Sequence, residues 1–348
     1  TRVGWANVRA SDLSESAPAD TANNFLGVVE ELDYLACQNR WIYERVGIID
    51  PVDPDDYLSH GGMAGLQRAL DLSPASVIEQ VTESGLRGRG GAGFPTGIKW
   101  QTVAEQAPVP HKGDPVDAAR HKYICVNADE GDSGTFADRM LMEGDPFCLL
   151  EGMAIAAHAV GADRGMIYLR SEYPAAIAVM SEAIEKARDR GWLGQGILGS
   201  SCNFDVTIRV GAGSYVCGEE TAMLESLEGR RGTVRAKPPL PAIEGLFGTP
   251  TVINNVLTIA SVPSILARGA EAYAALGQER SRGTQVFQLA GNIARGGIVE
   301  VAFGISAHEL IFGLGQGTKS GRPLKAVQVG GPLGAYLPAD GLQVPSKL

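Results

Sequence analysis

Residues 84–100 read SGLRGRGGAGFPTGIKW and contain six glycines interleaved with Arg87, Arg89 and Lys99. Glycine lacks a Cβ, so such a segment reaches positive φ and lets successive backbone N–H groups converge on an anion. A flexible Gly/Ser linker is the alternative, but a linker would not carry these cations together with a phenylalanine and a tryptophan. The segment therefore indicates a site for the phosphate of a nucleotide or a flavin.

The composition limits the possible partners. The chain has 348 residues, 44% of them hydrophobic, which is enough for one large domain or roughly two to three ordinary ones. Its formal net charge of −10 argues against nucleic acid as a partner, because phosphate backbones select basic surfaces. No apolar run reaches the roughly 18 residues that span a bilayer, so we expect no direct membrane insertion and a cytoplasmic location.

The cysteines and the N-terminus carry less information. The five cysteines are dispersed and form no CxxC pair, at positions 37, 125, 148, 202 and 217. This pattern predicts buried thiols in a reducing compartment and no metal site in this chain. The sequence begins at Thr1 without an initiator methionine, and we expect it to be part of a longer polypeptide.

Strands alternate with helices through the middle of the chain. A helix is predicted after Ser73-Pro74, where a capping serine precedes a proline at the first helical position. Further along, we predict strands over 122–127, 165–170 and 204–210, and helices over 147–160, 174–190 and 218–229. The alternation predicts a mainly parallel sheet covered on both faces, with ligands at the carboxyl ends of its strands.

The two ends of the chain differ from this middle part. Residues 1–55 show weak periodicity, as expected for the end of a preceding domain and a connector. A helix over 255–268 leads to a smaller unit that begins near residue 283. In that unit we predict strands over 284–289, 298–301 and 324–329, and a helix over 306–312. The pattern is typical of a small mixed α+β domain.

An acidic segment follows the first strand of the middle part. Residues 123–139 read YICVNADEGDSGTFADR, which places Asp129, Glu130 and Asp132 just after a strand end. Carboxylates repel phosphate, so beside a ligand they would accept hydrogen bonds from the hydroxyls of a ribose or a ribityl chain. The alternative is an acidic, glycine-rich surface loop.

Three later features have both a functional and a structural interpretation. Residues 211–225 place Tyr215 and the pair Glu219-Glu220 at a helix start, where the helix dipole alone stabilises a glutamate. The proline-rich segment 230–246 carries cations that hold a second phosphate or belong to a rigid connector: Arg231, Arg235 and Lys237. The pair Asn254-Asn255 stands between a strand and a helix, where asparagines commonly serve as N-caps.

The motifs in this order resemble one family. The segments 85–100, 127–139, 211–229 and 237–255 are similar to the FMN- and NAD(H)-binding subunit shared by respiratory complex I, NAD-reducing hydrogenases and NAD-dependent formate dehydrogenases. The resemblance extends from about residue 45 to residue 338. Within the family, residues 130–146, EGDSGTFADRMLMEGDP, look most like the formate dehydrogenase β subunit.

The resemblance implies an α/β fold. A Rossmann-like FMN-binding parallel sheet would occupy residues 56–280, followed by a small β-grasp (ubiquitin-like) α+β domain over 281–348. Residues 1–55 would be the tail of a thioredoxin-like domain and a connector. The family continues into a helical iron–sulfur domain that these 348 residues lack, so we expect the 4Fe-4S cluster in that missing domain or in partner subunits.

The resemblance also implies a set of site residues. FMN would be held by Gly88, Arg89, Gly90, Lys99, Asn127, Asp129, Glu130, Gly218, Glu219, Asn254 and Asn255. NAD(H) would lie against Gly91, Phe94, Asp132, Tyr215, Glu220 and Lys237. No catalytic side chain is implied, because FMN itself exchanges the hydride with NAD(H).

The implied activity is that of the diaphorase module of a formate dehydrogenase. Its partners would be a thioredoxin-like 2Fe-2S subunit and a large molybdenum or tungsten subunit, and single electrons would pass through iron–sulfur clusters. The same module in complex I or in a NAD-reducing hydrogenase is the nearest alternative. An alternative of another class is a non-catalytic, nucleotide-binding interaction subunit.

Overall fold

The computed structural model describes residues 3–5, 25–115, 117–343 and 345–346. The strands, numbered in chain order, are β1 Val3–Trp5, β2 Phe25–Val28, β3 Tyr123–Ala128, β4 Arg164–Leu169, β5 Asp205–Val210, β6 Thr251–Asn255, β7 Gly277–Gln278, β8 Ser281–Arg282, β9 Thr284–Leu289, β10 Gly297–Ala302, β11 Ala326–Val329 and β12 Ala335–Pro338. The α-helices are α1 Asp33–Ala36, α2 Pro54–Ser59, α3 Ala64–Asp71, α4 Pro74–Glu83, α5 Thr96–Ala104, α6 Ala137–Gly144, α7 Pro146–Val160, α8 Pro174–Asp189, α9 Glu220–Leu227, α10 Val256–Ala260, α11 Val262–Arg268 and α12 Ala270–Ala274.

Short turns of helix complete the secondary structure. The 3-10 turns are Val29–Glu31, Ile197–Gly199, Tyr215–Gly218, Leu246–Gly248 and Ala339–Gly341. A π-helical turn covers Glu309–Leu314. In the ranges that the structure describes, no helix combines the length and the apolar character of a membrane span.

The central sheet has four parallel strands in the order β5-β4-β3-β6. The chain passes outward from β3 to β4 and β5, and then returns to the other side of β3 to form β6. In a parallel sheet, ligands bind at the carboxyl ends of the strands where the order reverses in this way. Here that point lies between β3 and β6, where Asn127 pairs in register with Asn255.

Helices cover both faces of the sheet, as predicted. Ile124 and Val126 of β3 point to one face and join the core around α7, a helix that is buried almost all round. Tyr123 and Cys125 point to the opposite face and pack with the buried residues of α9. The continuous apolar run of β3 is therefore explained by burial on both faces.

One predicted helix is divided in two. The expected helix over 255–268 is interrupted at Ser261, so that α10 and α11 are separate. Pro263 lies in the first turn of α11, and proline has no N–H with which to continue the hydrogen-bond ladder of α10. Asn255 caps α10, since its side chain accepts a hydrogen bond of 2.9 Å from the N–H of Leu257.

The C-terminal unit consists of two antiparallel hairpins. The predicted strands appear as β9, β10 and β11, and the structure adds β12, which pairs with β11. The helix predicted over 306–312 continues instead as the π-helical turn, where glycines at 313 and 315 permit the wider backbone. Described residues 284–338 form two separate two-stranded sheets, β9-β10 and β11-β12. The finer β-grasp assignment therefore stays a prediction.

The segment before α2 packs into the core. Residues 41–43 are buried in the same core as the sheet. The buried carboxylate of Glu300 on β10 accepts hydrogen bonds of 2.9 Å from the N–H of Ile42 and 3.0 Å from that of Tyr43. Of residues 1–55, predicted to be a thioredoxin-like tail and a connector, 1–2 and 6–24 lie outside the described residues, and the domain boundaries stay predictions.

Another buried carboxylate organises the helical layer, and it offers a test of the fold. Glu151 on α7 accepts hydrogen bonds from the Tyr57 hydroxyl, from the N–H of Met63 at 2.8 Å and from the N–H of Leu66 at 2.9 Å. Glu151→Gln places an N–H₂ group against these donors. We expect a loss of about 2–4 kcal/mol in the free energy of unfolding, measured by denaturant titration.

The matched control for this prediction is Glu182→Gln. Glu182 lies on the exposed side of α8 and forms an ion pair of 2.8 Å with Lys186. Exposed pairs of this kind contribute about 0.3–0.5 kcal/mol. Equal losses for the two variants would contradict the role given to the carboxylate of Glu151.

Candidate functional site

The glycine turn lies beside the end of β6. Its base is closed by hydrogen bonds from the N–H of Gly88 to the carbonyl of Phe94 at 2.9 Å and from the N–H of Thr96 to the carbonyl of Leu86 at 3.0 Å. A Cβ built on Gly90 would lie 3.2 Å from the Cβ of Asn255. The turn is therefore held against the strand end where the sheet order reverses.

The open side of the turn presents unused donors. Within the described part of the chain, the backbone N–H groups of residues 90–93 donate no hydrogen bond. Gly91 has a φ of +101°, which requires glycine, and a Cβ built there would meet nothing within 4 Å. Consecutive free N–H groups beside an open glycine face form an anion-binding concavity.

Three asparagines lie near the carboxyl ends of β3 and β6 and form the floor of the site. The Asn127 amide donates to the carbonyl of Gly218 at 2.8 Å. Asn254 accepts a hydrogen bond of 3.0 Å from the indole N–H of Trp100, and the Asn255 amide donates to Asp138 at 2.7 Å. These amides already have partners, so they contribute to the site mainly through the backbone positions that they maintain.

The first acidic residue after β3 has an unused acceptor. One carboxylate oxygen of the half-buried Asp129 is inaccessible to solvent and has no partner among the described residues. Burial raises the pKa of Asp129 to about 6. A Cβ on Gly218 would lie 3.5 Å from the Asp129 carbonyl oxygen, so these two segments lie close together. Because solvent does not reach this oxygen, a ligand hydroxyl would contact it only after the side chain turned outward.

Two predicted ligand residues also have structural contacts. The buried guanidinium of Arg89 donates to the Tyr273 hydroxyl at 2.6 Å and to the Arg282 carbonyl at 2.9 Å. The Glu130 carboxylate caps α6, accepting the N–H groups of Ala137 at 2.7 Å and Asp138 at 3.1 Å. Nε and Nη1 of Arg89 have no partner among the described residues, and the contacts of both residues with FMN stay predictions.

A cluster of lysines and glutamates lies next to the asparagines. Lys99 donates to the carbonyl of Ile253 at 2.7 Å and lies 3.7 Å from Glu220. Lys237 lies 2.6 Å from Glu220 and 3.4 Å from Glu219. Burial lowers the pKa of Lys99, and the Glu220 carboxylate opposes that shift. The charge of Glu220 is thus shared between two ammonium groups.

The first residues of α9 explain the other glutamate. Glu219 is the N-cap of α9, and its carboxylate accepts hydrogen bonds from the N–H groups of Thr221 at 2.8 Å and Ala222 at 2.9 Å. The structural interpretation of the pair, a glutamate stabilised at a helix start, therefore describes Glu219. Glu220, in the first turn of the helix, faces the two lysines instead.

Exposed aromatic residues border the groove. Phe94 is 49% exposed and Tyr215 is 62% exposed, which is unusual for large rings in a folded chain. The Tyr215 hydroxyl donates to Asp132 at 2.7 Å, and this hydrogen bond raises the pKa of Tyr215. Rings that stay accessible at the edge of a polar groove are available to contact the flat rings of a nucleotide.

The groove therefore fits a flat, phosphate-bearing molecule with hydroxyl groups. It offers free N–H groups for an anion, an unpaired carboxylate oxygen for a hydroxyl, and an open glycine face for a ring. A cavity of about 570 Å³ lies elsewhere, beside α4, α5 and α12. Its lining mixes Arg87 and Arg282 with Glu83 and Glu271 and thus selects neither sign of charge.

Comparison with known proteins identifies the family of this chain. The family model of the Nuo51 FMN-binding domain matches residues 81–264, which span the glycine turn, the sheet and the asparagine pair. The chain belongs to this family. The match places the turn, the acidic segment and the start of α9 inside one Nuo51 FMN-binding domain.

The chain is similar to several proteins of known name. The chain is 48% identical over 307 residues to the HndC component of the NADP-reducing hydrogenase of Solidesulfovibrio fructosivorans, covering 88% of this chain and 60% of that protein. It is also 48% identical, over 289 residues, to a component of the NADH-quinone oxidoreductase of Rhizobium meliloti, covering 83% of this chain and 66% of that protein.

Solved structures agree with the fold. The crystal structure of an NAD⁺-reducing NiFe hydrogenase in the H₂-reduced state matches with a TM-score of 0.72 and 36% identity. The match covers 85% of this chain and 48% of that chain. The chain thus spans about half to two-thirds of the length of the proteins that it resembles.

Sequence reasoning missed two supports of the site. Asp138 is buried, and its hydrogen bond with Asn255 links α6 to the end of β6. Trp100 is completely buried and donates to Asn254. Each residue lies inside a segment with a recognisable motif, but neither pattern shows which distant strand it contacts.

The raised pKa of Asp129 leads to a pH prediction for the flavin-free chain. The fold holds this proton more tightly than the unfolded chain, where the pKa is near 3.8, so stability falls as pH rises from about 4 to 6. Asp129→Asn removes this term. We expect its stability relative to wild type to rise through that window by about 1 kcal/mol, a value reduced for partial exposure.

Urea unfolding at several pH values from 4 to 8 measures this difference. The control variant is Asp189→Asn at the exposed end of α8, for which the difference from wild type should not vary in this way. A difference for Asp129→Asn that is constant with pH would show that the carboxylate is solvated in the folded chain.

Proposed function

We propose that this chain is an FMN- and NAD(H)-binding diaphorase module, which exchanges hydride with NAD(H) and passes electrons singly to or from iron–sulfur clusters in its partners. The observation that carries the proposal is the glycine turn, whose unused N–H groups lie next to Asn255 at the reversal of the sheet order. Membership of the Nuo51 FMN-binding domain family supports it.

The described contacts suggest how FMN would be held. Residues 90–93 and Lys99 would bind its phosphate, and Asp129 would accept hydrogen bonds from the ribityl hydroxyls. The remaining members of the proposed FMN set are Gly88, Arg89, Asn127, Glu130, Gly218, Glu219, Asn254 and Asn255. Bound FMN would supply the conversion between two-electron and one-electron transfer.

The NAD(H) site is proposed on the open side of the groove. Gly91 leaves room for a ring, and the exposed rings of Phe94 and Tyr215 lie at its border. Asp132, Glu220 and Lys237 would contact the polar parts of the coenzyme. The task of these residues is to bind and orient the two rings, because this reaction requires no acid or base from the protein.

We further propose that the module belongs to a NAD-dependent formate dehydrogenase. The similarity of residues 130–146 to the formate dehydrogenase β subunit supports this assignment. The thioredoxin-like 2Fe-2S subunit and the large molybdenum or tungsten subunit would then be its partners. The names of its relatives keep a hydrogenase and a quinone reductase as alternatives. Mass analysis of the native complex distinguishes them by the presence or absence of a molybdopterin subunit.

Spectroscopy tests the activity itself. Purified protein should show a flavin absorbance band that NADH bleaches under anaerobic conditions. A band that NADH leaves unchanged, or nucleotide binding without any flavin, would favour the non-catalytic interaction subunit instead.

The open face of Gly91 can be tested by substitution. Gly91→Val places a branched side chain where the nicotinamide ring would approach, so we expect a loss of about tenfold or more in kcat/KM for NADH with flavin content near wild type. The assay is NADH:ferricyanide reduction per bound flavin.

Gly113→Val is the matched control. Gly113 has a φ of +99° and equally open surroundings, so valine there introduces similar backbone strain far from the groove. Loss of flavin from the Gly91 variant, with full activity per remaining flavin, would place the coenzyme on another face.

The shared charge of Glu220 predicts the choice of coenzyme. A carboxylate accepts a hydrogen bond from the 2′-hydroxyl of NAD(H) and repels a 2′-phosphate, so we expect NADH to be preferred to NADPH by about a hundredfold. Glu220→Gln also frees Lys99 and Lys237 to attract a phosphate. This variant should reduce the preference mainly by raising kcat/KM for NADPH.

The comparison requires both coenzymes at fixed ionic strength, with flavin occupancy measured in each sample. Glu244→Gln is the control, because Glu244 pairs with Lys112 at an exposed position outside the proposed site. The outcome is informative because one relative of this chain is a component of an NADP-reducing hydrogenase. An unchanged ratio would limit Glu220 to a structural role at the start of α9.

A further inference from the structure

The loop that carries Asp132 is attached to the C-terminal unit. Gln288 on β9 reaches across to this loop with its whole amide group. Its oxygen accepts hydrogen bonds from the N–H of Phe136 at 2.8 Å and from the Thr135 hydroxyl at 2.5 Å, and its nitrogen donates to the carbonyl of Gly134 at 2.8 Å. One side chain thus binds three consecutive residues of the loop.

A second part of the C-terminal unit lies against the same loop. The turn between β11 and β12 contains Gly331, which has a φ of +77°. A Cβ built on Gly331 would lie 3.0 Å from a carboxylate oxygen of Asp132. The turn therefore approaches this carboxylate so closely that even a methyl group would displace it.

The opposite side of the loop faces the residues before α9. A Cβ on Gly131 would lie 2.9 Å from the ring of Tyr215, and the Tyr215 hydroxyl donates to Asp132. The loop is thus confined between the 3-10 turn Tyr215–Gly218 and the C-terminal unit. Asp132 and Tyr215 are both exposed, and the loop that places them is fixed at Thr135 by the Gln288 amide, the Glu130 carboxylate at 3.1 Å and the Tyr173 hydroxyl at 3.0 Å.

We infer that Gln288 is a positioning residue for NAD(H), acting through the loop that carries Asp132, and that the C-terminal unit forms part of the coenzyme site. This inference rests on the proposed function. Gln288 itself does not contact the reacting atoms. Its hydrogen bonds fix residues 134–136, which determines where Asp132 and its partner Tyr215 meet the coenzyme.

The test replaces the amide while keeping the size of the side chain. Gln288→Met should raise KM for NADH about five- to tenfold and change kcat less than about twofold, because the loop is released while the flavin is untouched. Gln285→Met is the matched control on the same strand. The Gln285 amide donates to the neighbouring carbonyl of Val286, and KM should stay at the wild-type value.

A double-mutant cycle separates positioning from general destabilisation. If Gln288 acts through Asp132, adding Gln288→Met to Asp132→Asn should change KM for NADH by less than about twofold. Independent effects that multiply in the double variant would overturn the inference. Loss of activity that follows loss of flavin or of thermal stability would overturn it as well.

A second variant covers the case in which Gln288→Met does not fold. Gly331→Ala adds one methyl group at an exposed turn, 3.0 Å from Asp132, and should also raise KM for NADH. Gly330→Ala, at a φ of +97°, is its control, because a Cβ there points toward Gly334. Equal KM values for the two variants would remove the C-terminal unit from the coenzyme site.

The measurements are NADH:ferricyanide kinetics on the full, flavin-loaded chain. If the wild-type protein bound no flavin or did not oxidise NADH, the proposed function would fail before any variant was compared. If the wild type is active and Gln288→Met leaves KM unchanged, only the positioning role fails. The two failures are therefore distinguishable.

Discussion

Asn255 joins three parts of the molecule that must meet for the groove to exist. Its side-chain oxygen caps α10, its nitrogen donates to the buried Asp138 on α6, and its Cβ faces Gly90 of the glycine turn. Asp138 depends on this contact, because burial raises its pKa strongly and the Asn255 amide opposes that shift. If Asn255 moved, it would lose one hydrogen bond at the start of α10 and another to a buried carboxyl group. Both losses would lower the stability of the fold.

The hydrogen bonds within this part of the fold determine which polar groups of the site remain unused. The three asparagine amides are used internally, and among the described residues the unused polar groups here include the backbone N–H groups of residues 90–93, one oxygen of Asp129, and Nε and Nη1 of Arg89. The same groove keeps Lys99 partly buried between Glu220 and the end of β6. A chain with a net charge of −10 thus presents local donors to an anion without a basic surface.

Local patterns were enough to predict the central sheet and the glycine turn. The strands β3 and β4 and the helix α7 are mainly apolar runs whose period and length specify their structure, whereas the edge strand β5 alternates polar and apolar residues. The contacts of Arg89 with Tyr273 and Arg282 could not be predicted, because they join residues more than 180 positions apart. The contacts of Gln288 were not predicted for the same reason, because no sequence pattern shows which distant residues a glutamine in a strand contacts.

The Glu300 carboxylate connects the segment before α2 to the C-terminal unit, and this long-range contact affects folding. It accepts the N–H groups of residues 42 and 43 across 258 and 257 positions of sequence. During synthesis, the backbone N–H groups that follow Trp41 therefore cannot form these hydrogen bonds until β10 has been made. Long-range closure of this kind slows folding and leaves apolar surface open in the meantime. Such a chain is expected to need protection by chaperones more than its well-packed centre suggests.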